Sequence, residues 1–333
     1  YMASACCPQP DGLTAYVDIY DILKPGDFGG LGIDVHGNDV GFEFDWGSGP
    51  VSALRTATGF GVDGLAIGLS ITENEHPGKL QRLVEGEYDA EIRQLAHFFS
   101  LIKGPVYLRI GYEFDGAWNH GYDDATRYIA AWQRIVDVLR AAGADNFFTV
   151  WQSGAAVLDE VIDQRHEDVS RWYPGDDYVD WMAFSWFMNP DETIQVPTSH
   201  DPGTPLELAN ELLALARQHD KPVMIAEASP QAIDIEERIM AHQSPIWDGP
   251  SGTGRVDMSD DEIWAHWYAP LFRLLEDNRD VIHALAYINV DWDSQPMWMT
   301  PYPNGFWGDS RLEANDAIAA RFTAAINDWK ATR

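Results

Sequence analysis

The 333-residue sequence predicts an α/β fold built as a single (β/α)8 barrel. The length suits one barrel better than one small sandwich. From about residue 89 onward, apolar β-rich runs alternate with segments whose apolar residues recur at helical spacing, which predicts a parallel sheet covered by helices. No low-complexity linker or internal repeat interrupts this alternation. We therefore expect an irregular lead-in over residues 1–13 and one barrel over residues 14–333.

The second half of the chain gives the clearest signals. We predict five strands there: Val106–Phe114, Phe147–Trp151, Asp180–Phe187, Pro222–Ala226 and Ile282–Val290. The predicted helices are Asp89–Lys103, Asp123–Ala142, Pro205–His219, a helix from Ser259 to about Asn278, and Arg311–Lys330. Two of these helices begin with a capping box, formed by Thr204 with Glu207 and by Ser259 with Glu262.

The first third of the chain is harder to divide. Leu65–Ile71 reads as a buried strand, and eight strands in total require about three before Val106. Three further segments are strand-like, and the sequence leaves open which of them belong to the barrel: Thr14–Tyr20, Leu31–Val35 and Gly41–Asp45. Pro50–Thr58 is expected to be a short helix and Glu73–Glu85 a polar loop.

Composition excludes several classes of partner. The net charge of −31, from 53 acidic against 22 basic residues, argues against binding to nucleic acid or to an anionic membrane. No run of eighteen apolar residues occurs, so no membrane-spanning segment is expected. The only cysteines, Cys6 and Cys7, are adjacent and give no disulfide framework. The chain opens at Tyr1 without Met, and we expect a removed export signal and a secreted, cell-surface or periplasmic monomer.

Two predicted strands end in a glutamate followed by loop residues. Glu113 ends the strand that begins at Val106, and Glu227 ends the strand that begins at Pro222. The carboxyl ends of barrel strands meet at one face, where a pair of carboxyl groups about 5–5.5 Å apart performs retaining glycoside hydrolysis. Arg109 alternates onto the face of Glu113 and is the candidate to keep the nucleophile ionised, although it could instead pair with a core acid.

The 14 tryptophans exceed what a core requires and suggest stacking platforms for sugar rings. Candidates at or near strand ends are Trp118, Trp151, Trp186 and Trp292, of which Trp151 and Trp186 fit the core equally well. Asn119 could hydrogen-bond a sugar hydroxyl, although loop polarity explains it as well. The ten histidines show no metal-ligand spacing, so we expect no metal and no cofactor.

The residues around Glu113 resemble a known signature. Arg109-Ile-Gly-Tyr-Glu113-Phe-Asp-Gly-Ala-Trp118 is similar to the Arg-Pro-x-His-Glu-x-x-Gly-x-Trp motif of glycoside hydrolase family 26. In matching order, four later segments resemble that family's fifth strand, the approach to its sixth strand, its seventh strand and its eighth strand: Phe147–Trp151, Trp172–Asp180, Lys221–Glu227 and Tyr287–Trp292. The resemblance covers roughly residues 85–295.

The resemblance implies a retaining double displacement with Glu113 as acid/base and Glu227 as nucleophile, and Trp292 as the floor of the cleaved sugar's subsite. Two positions depart from the family. Tyr112 stands where the family has histidine, and Ser185-Trp186-Phe187 stands where Asp-x-Tyr is usual. The tyrosine that normally touches the nucleophile is therefore missing from strand six or replaced.

The family's members mostly cut β-1,4-mannan. The resemblance thus implies a retaining endo-β-glycanase acting on a plant or marine polysaccharide, with a β-1,4-mannan type expected first. The departures lie at sugar-contacting positions, so β-1,3-xylan, mixed-linkage β-glucan, another marine polysaccharide and exo action remain open. A carbohydrate-binding barrel without catalysis is the alternative of another class, and it requires one of the two glutamates to be absent or misplaced.

Overall fold

The computed structural model describes residues 7–23, 30–41, 44–45, 50–163, 166, 168–190, 201–241 and 254–332. Its central element is a parallel sheet of seven strands that follow one another in chain order. The strands, β1 to β7, are Gly12–Asp18, Gly64–Ser70, Val106–Ile110, Phe147–Ser153, Trp181–Trp186, Val223–Ala228 and Ile282–Tyr287. The sheet is curled. Its curvature brings the side chain of Tyr16 on β1 within hydrogen-bond distance of Glu227 on β6.

Helices follow the strands and cover one face of the sheet. They are, as α1 to α9, Ala53–Thr58, Lys79–Glu85, Asp89–Leu101, Ala125–Ala141, Val157–Asp163, Pro205–Gln218, Asp260–Ile263, Ala269–Asp277 and Asp316–Ala331. A π-helical turn, Trp264–Tyr268, joins α7 to α8, so these two form the one helix that the sequence predicts there. Both predicted capping boxes are confirmed, with reciprocal side-chain and backbone hydrogen bonds.

Shorter elements lie in the connections. After β6 a three-stranded antiparallel sheet is formed by Ile233–Asp234, Ile239–Ala241 and Arg255–Asp257. Turns of 3-10 helix lie at Ile19–Asp21, Val169–Trp172, Trp292–Ser294 and Leu312–Ala314. Within the described ranges, no helix combines the length and the apolar character that crossing a bilayer requires.

The prediction of a polar loop over Glu73–Glu85 is wrong for the second half of this segment, which forms α2. This helix begins after Gly78 and ends at Gly86, and both glycines have positive φ angles. Its apolar residues are Leu80, Leu83 and Val84, which extend over little more than one turn. So short a pattern gives no periodic signal above that of a loop, and the packing of α2 stabilises it instead.

Of the three strand-like segments near the N-terminus, the first supplies a strand of the main sheet. In Leu31–Val35, Ile33 forms one isolated bridge to Asp39. Residues 42–43 of the third segment lie outside the described residues, and Phe44–Asp45 pairs antiparallel with Pro50–Val51. The prediction of a parallel α/β sheet is confirmed, with seven strands; within the described part of the chain, no ladder joins β7 to β1.

A buried ion pair fastens the first two strands to α2. Asp18 and Ser70 end β1 and β2 and are register partners. Lys79, whose side chain is 1% exposed, donates to both carboxylate oxygens of Asp18 at 2.9 and 2.8 Å. The Ser70 hydroxyl donates to the same carboxylate at 2.8 Å. The carboxylate therefore has the donors that a buried charge requires.

Replacing Lys79 with alanine leaves the buried Asp18 carboxylate without its cation. We expect Lys79→Ala to lower the free energy of unfolding by about 3–5 kcal/mol, measured by chemical denaturation. The matched control is Lys330→Ala, which removes an exposed ion pair with Asp11 and is expected to cost at most about 1 kcal/mol. Equal losses in the two variants would contradict the assigned role of Lys79.

Candidate active site

The backbone bends sharply where β3 ends, and this bend delivers Glu113. Gly111 has φ +51° and Glu113 has φ +52°, a left-handed conformation that is uncommon for a residue with a side chain. The carbonyl oxygen of Glu113 accepts hydrogen bonds from the Gly116 amide at 2.9 Å and from the Asn119 side chain at 2.8 Å. Such conformations cluster at functional sites, where the surroundings hold them in place.

Glu227 lies near the carboxyl end of β6 and is buried, with 7% of its surface exposed. Its Oε1 accepts a hydrogen bond from the Tyr16 hydroxyl at 2.8 Å and a charged one from Arg109 Nη2. Arg109 lies on β3 and is completely buried. Burial by itself would lower the pKa of Arg109, but the charge of Glu227 raises it, so the guanidinium stays ionised. The pair therefore holds a buried carboxylate in its charged form.

A chain of hydrogen bonds joins this ion pair to Glu113. Arg109 Nε donates to Gln152 Oε1 at 2.6 Å, and Gln152 Nε2 donates to Ser185 Oγ at 3.0 Å. The Ser185 hydroxyl in turn donates to Glu113 Oε1 at 2.7 Å. A shift of register before Ser185 pairs it with Glu227 across β5 and β6. The two glutamates therefore lie at one edge of the sheet and are tied together through β3, β4 and β5.

Glu113 has the surroundings of a carboxylic acid that retains its proton. Burial raises its pKa well above the ordinary value of 4.5, and the negative charge of Glu227 raises it further. Hydrogen bonds from Ser185 Oγ and from Trp118 Nε1, the latter at 3.0 Å to Oε2, oppose this rise. One carboxyl group is thus biased towards the neutral form while a cation stabilises the other as an anion, the separation that acid and nucleophile roles require.

The predicted residues Arg109, Glu113, Trp118 and Glu227 come together in the structure, and Tyr112 joins them. The Tyr112 ring lies 5.1 Å from the Arg109 guanidinium carbon and packs edge-on against the Tyr16 ring at 5.6 Å.

The side-chain amide nitrogen of Asn119 contacts the bend after β3, and its contact with a sugar hydroxyl stays a prediction. Its amide donates to the backbone oxygens of Tyr112, at 3.3 Å, and Glu113, so it supports the bend.

Trp151 and Trp186 lie in the core, the alternative that the sequence left open, and this placement corrects their interpretation as sugar platforms. Their neighbours Gln152 and Ser185 belong to the network at the inner face of the sheet, so strand alternation turns both indoles towards the helices. Trp151 is fully buried and stacks on Phe114, with ring centroids 4.3 Å apart. It therefore supports the residue next to Glu113 from beneath.

Trp292 follows β7 and is mostly buried, with 8% of its surface exposed. It packs against Trp298 and Trp307, with centroids 5.5 and 4.8 Å away, and Phe187 lies beside the same cluster. The structure thus places it in an aromatic cluster after β7, at the carboxyl-terminal edge of the sheet.

Three residues of the site were missed by sequence reasoning: Tyr16, Gln152 and Ser185. Ser185 is the one polar residue of its strand, whereas the strands of Tyr16 and Gln152 carry other polar residues as well. Neither pattern is a strong signal without knowledge of which face each residue occupies. In the part of the chain that the structure describes, no group of three or more His, Cys, Asp or Glu side chains is arranged to hold a metal ion.

No family model matches the sequence. A curated beta-1,3-xylanase from an Alcaligenes species is 32% identical over 330 residues, covering 98% of this chain and 61% of the relative. A beta-1,3-xylanase from a Vibrio species is 31% identical over 333 residues, covering 99% of this chain and 63% of the relative. The chain therefore spans less than two thirds of the length of the curated relatives it matches.

Among solved structures, a family 26 β-mannanase from Bacteroides ovatus is similar in fold. Its TM-score is 0.56 at 14% sequence identity, and the match covers 97% of this chain and 81% of that chain. The predicted resemblance to glycoside hydrolase family 26 is confirmed, and at this identity the match with the mannanase establishes the fold alone.

Removing the charge of Glu227 tests the electrostatic relation between the two glutamates. In Glu227→Gln, ionisation of Glu113 no longer places two like charges near each other, so we expect the pKa of Glu113 to fall. The shift is measurable by carboxyl-carbon NMR titration of the labelled protein. Glu85→Gln, on the exposed face of α2, is the control and is expected to leave the titration of Glu113 unchanged. An unaltered pKa in Glu227→Gln would contradict the coupling.

Proposed function

We propose that this chain is a retaining endo-glycoside hydrolase that cuts β-1,3-xylan. The observation that carries the proposal is the pairing of an acid-biased Glu113 with a cation-held Glu227 at one edge of a parallel sheet. The β-1,3-xylanase relatives, which match almost the whole chain at 31–32% identity, favour xylan over the mannan type expected first. The second candidate is β-1,4-mannan, which the resemblance of the residues around Glu113 to the family 26 motif implies.

In the first step, Glu227 attacks the anomeric carbon while Glu113 protonates the departing glycosidic oxygen. The attacking atom is Oε2, because Oε1 already accepts from Tyr16 and Arg109. A bond forms between Oε2 and the anomeric carbon as the bond to the leaving oxygen breaks, and the proton of Glu113 passes to that oxygen. The product is a glycosyl-enzyme and a shortened glycan.

In the second step, Glu113 is ionised and removes a proton from the water that attacks the glycosyl-enzyme. Its two oxygens then accept from Ser185 Oγ and Trp118 Nε1, which stabilise the carboxylate between the steps. The water oxygen replaces Glu227 at the anomeric carbon, so two inversions retain the configuration. Glu113 ends the cycle protonated and Glu227 ends it as the anion.

Tyr16 replaces the tyrosine that contacts the nucleophile from strand six in family 26 enzymes. The Tyr16 hydroxyl donates to Glu227 from β1, whereas β5 contributes Ser185 to the site. With Arg109 it holds Oε1, which orients the other carboxylate oxygen for attack. The departure from the family at strand six is therefore compatible with the same chemistry.

The finer architecture and the setting follow from the same proposal. We expect the curled sheet to be the eight-stranded barrel of family 26, with residues 14–333 forming one domain. A polysaccharide is too large to cross a membrane, and the net charge of −31 suits an external, saline medium, so we expect the enzyme to act outside the cell. We also expect it to be a monomer. A non-catalytic binding barrel is disfavoured because both carboxyl groups are present and joined by hydrogen bonds.

The test is incubation with β-1,3-xylan, β-1,4-mannan and mixed-linkage β-glucan, following new reducing ends, product sizes and the anomeric configuration of the first product. We expect internal cuts in β-1,3-xylan with retention, and a loss of at least about 1,000-fold in Glu227→Gln because the nucleophile is removed. Glu85→Gln is the matched control and is expected to behave as wild type. Cleavage of mannan alone would overturn the substrate, and no cleavage of any glycan would overturn the activity.

Tyr16→Phe tests the replacement of the strand-six tyrosine. Loss of a hydrogen bond to a charged group costs about 1.5–3 kcal/mol, so we expect kcat/KM to fall by roughly 10- to 100-fold. Tyr107→Phe is the control, since Tyr107 lies on β3 two residues before Arg109 and packs against Phe148 and Trp181. Wild-type rates in Tyr16→Phe would show that Arg109 alone orients the nucleophile.

A further inference from the structure

The segment that follows Glu113 is fastened from two sides by carboxyl groups outside the reaction centre. Asp115 Oδ1 accepts from the Gly154 amide at 2.6 Å, and its Oδ2 accepts from the Ser153 hydroxyl. Asp159, in the first turn of α5, accepts from the Ala117 amide at 2.5 Å. One contact ties the segment to the end of β4, and the other ties it to the helix after that strand.

We propose that Asp115 and Asp159 are positioning residues that hold Phe114–Trp118 so that Glu113 stays aimed at the leaving oxygen. The inference rests on the proposed function and deepens it. Neither carboxyl group is assigned contact with substrate.

The segment needs such fastening because it has no regular secondary structure. A left-handed conformation at a residue such as Glu113 costs about 1–3 kcal/mol, which the surroundings must offset. Trp118 packs directly on the backbone of Gly116, where an added Cβ would lie 2.5 Å from the indole. If the Ala117 amide were released, Gly116 and Trp118 would move together, and the hydrogen bond from Trp118 to Glu113 would lengthen.

The cavity beside the carboxyl groups of Asp115 and Asp159 is too small to be a ligand-binding site. The cavity bordered by Asp115, Ser153 and Asp159 has a volume of about 10 Å³, which no sugar or other organic ligand can enter. Among the described residues, the other ionisable groups that line this cavity are Glu160 on α5, His166, and Glu211 on α6. The cluster therefore acts through the segment that it holds.

The hydrogen bond from the Ala117 amide to Asp159 needs an acceptor oxygen but does not need a negative charge on Asp159. Asp159 is buried, which raises its pKa to about 8, and the charge of Asp115 contributes to this rise. Near neutral pH a protonated carboxyl group still offers its carbonyl oxygen to the Ala117 amide. Asparagine provides the same oxygen at the same reach, so Asp159→Asn is the conservative variant and Asp159→Ala is the disruptive one.

Displacement of Glu113 should affect substrates differently according to their leaving groups. A sugar hydroxyl leaves poorly without a proton, whereas dinitrophenolate leaves readily without one, so only the first substrate needs an aimed Glu113. A general loss of stability or of substrate binding would reduce turnover of both. The ratio of the two rates therefore distinguishes positioning of the acid from a merely structural role.

The experiment compares kcat/KM for β-1,3-xylan and for a dinitrophenyl β-xyloside chain in wild type, Asp159→Ala, Asp159→Asn and Asp124→Ala. We expect Asp159→Ala to lose roughly 10- to 100-fold on xylan with little loss on the aryl substrate, as a misplacement near 1 Å would cause. Asp159→Asn should restore most of the xylan rate. Asp124→Ala is the control, because Asp124 also accepts a backbone amide, at the start of α4.

Equal losses on both substrates in Asp159→Ala, or wild-type rates on both, would overturn the inference. If Asp159→Ala does not fold, Ser153→Ala decides, since it removes the hydroxyl that donates to Asp115 and accepts from the Ala155 amide. The same selective loss is expected there, and an unselective one overturns the inference. If wild type cleaves neither substrate, the proposed function itself fails, whereas failure of the inference leaves wild-type cleavage of both intact.

Discussion

The ion pair between Arg109 and Glu227 is the interaction on which the site depends. Both groups are buried, and taking two charges out of water costs several kcal/mol unless their remaining donors and acceptors are satisfied. Here Gln152 accepts from the Arg109 guanidinium and Tyr16 donates to the Glu227 carboxylate. The partners come from β1, β3, β4 and β6, so the register of four strands must agree for the pair to exist.

The same network separates the chemistry of the two glutamates. The Glu227 carboxylate is paired with a buried guanidinium, and its negative charge helps to raise the pKa of the partly buried Glu113, so that Glu113 retains a proton. Ser185 connects the two halves, because it receives a hydrogen bond from Gln152 and donates one to Glu113. The raised pKa of Glu113 is thus partly a consequence of the charged Glu227 being held nearby.

Sequence reasoning could find what local pattern encodes. Arg109, Glu113 and Glu227 were found because each lies in or just after an apolar run, where strand alternation and the order of a parallel sheet determine position. Alternation also separates Trp151 from Gln152, but it does not say which of the two faces the site. That choice depends on packing against Phe114, which lies on a different segment.

The remaining parts of the site depend on contacts distant in sequence. Ser185 reaches Glu113 with the help of a register shift between β5 and β6, and no residue pattern marks such a shift. Tyr16 lies in the N-terminal region, where the sequence does not determine which of three strand-like segments belong to the sheet. Until β1 was known to be Gly12–Asp18, nothing connected Tyr16 to a glutamate 211 positions later.

In this chain the hydroxyl that contacts Glu227, the proposed nucleophile, comes from β1. The proposed chemistry needs an oxygen–hydrogen donor at Glu227 Oε1, and β1 provides it through Tyr16 while β5 provides the partner of Glu113. The rings of Tyr16 and Tyr112 pack together over Arg109, so the tyrosine at the family's histidine position contacts the residue that donates to Glu227. A histidine ring is smaller than a tyrosine ring, so a histidine at position 112 would fill less of the contact with Tyr16.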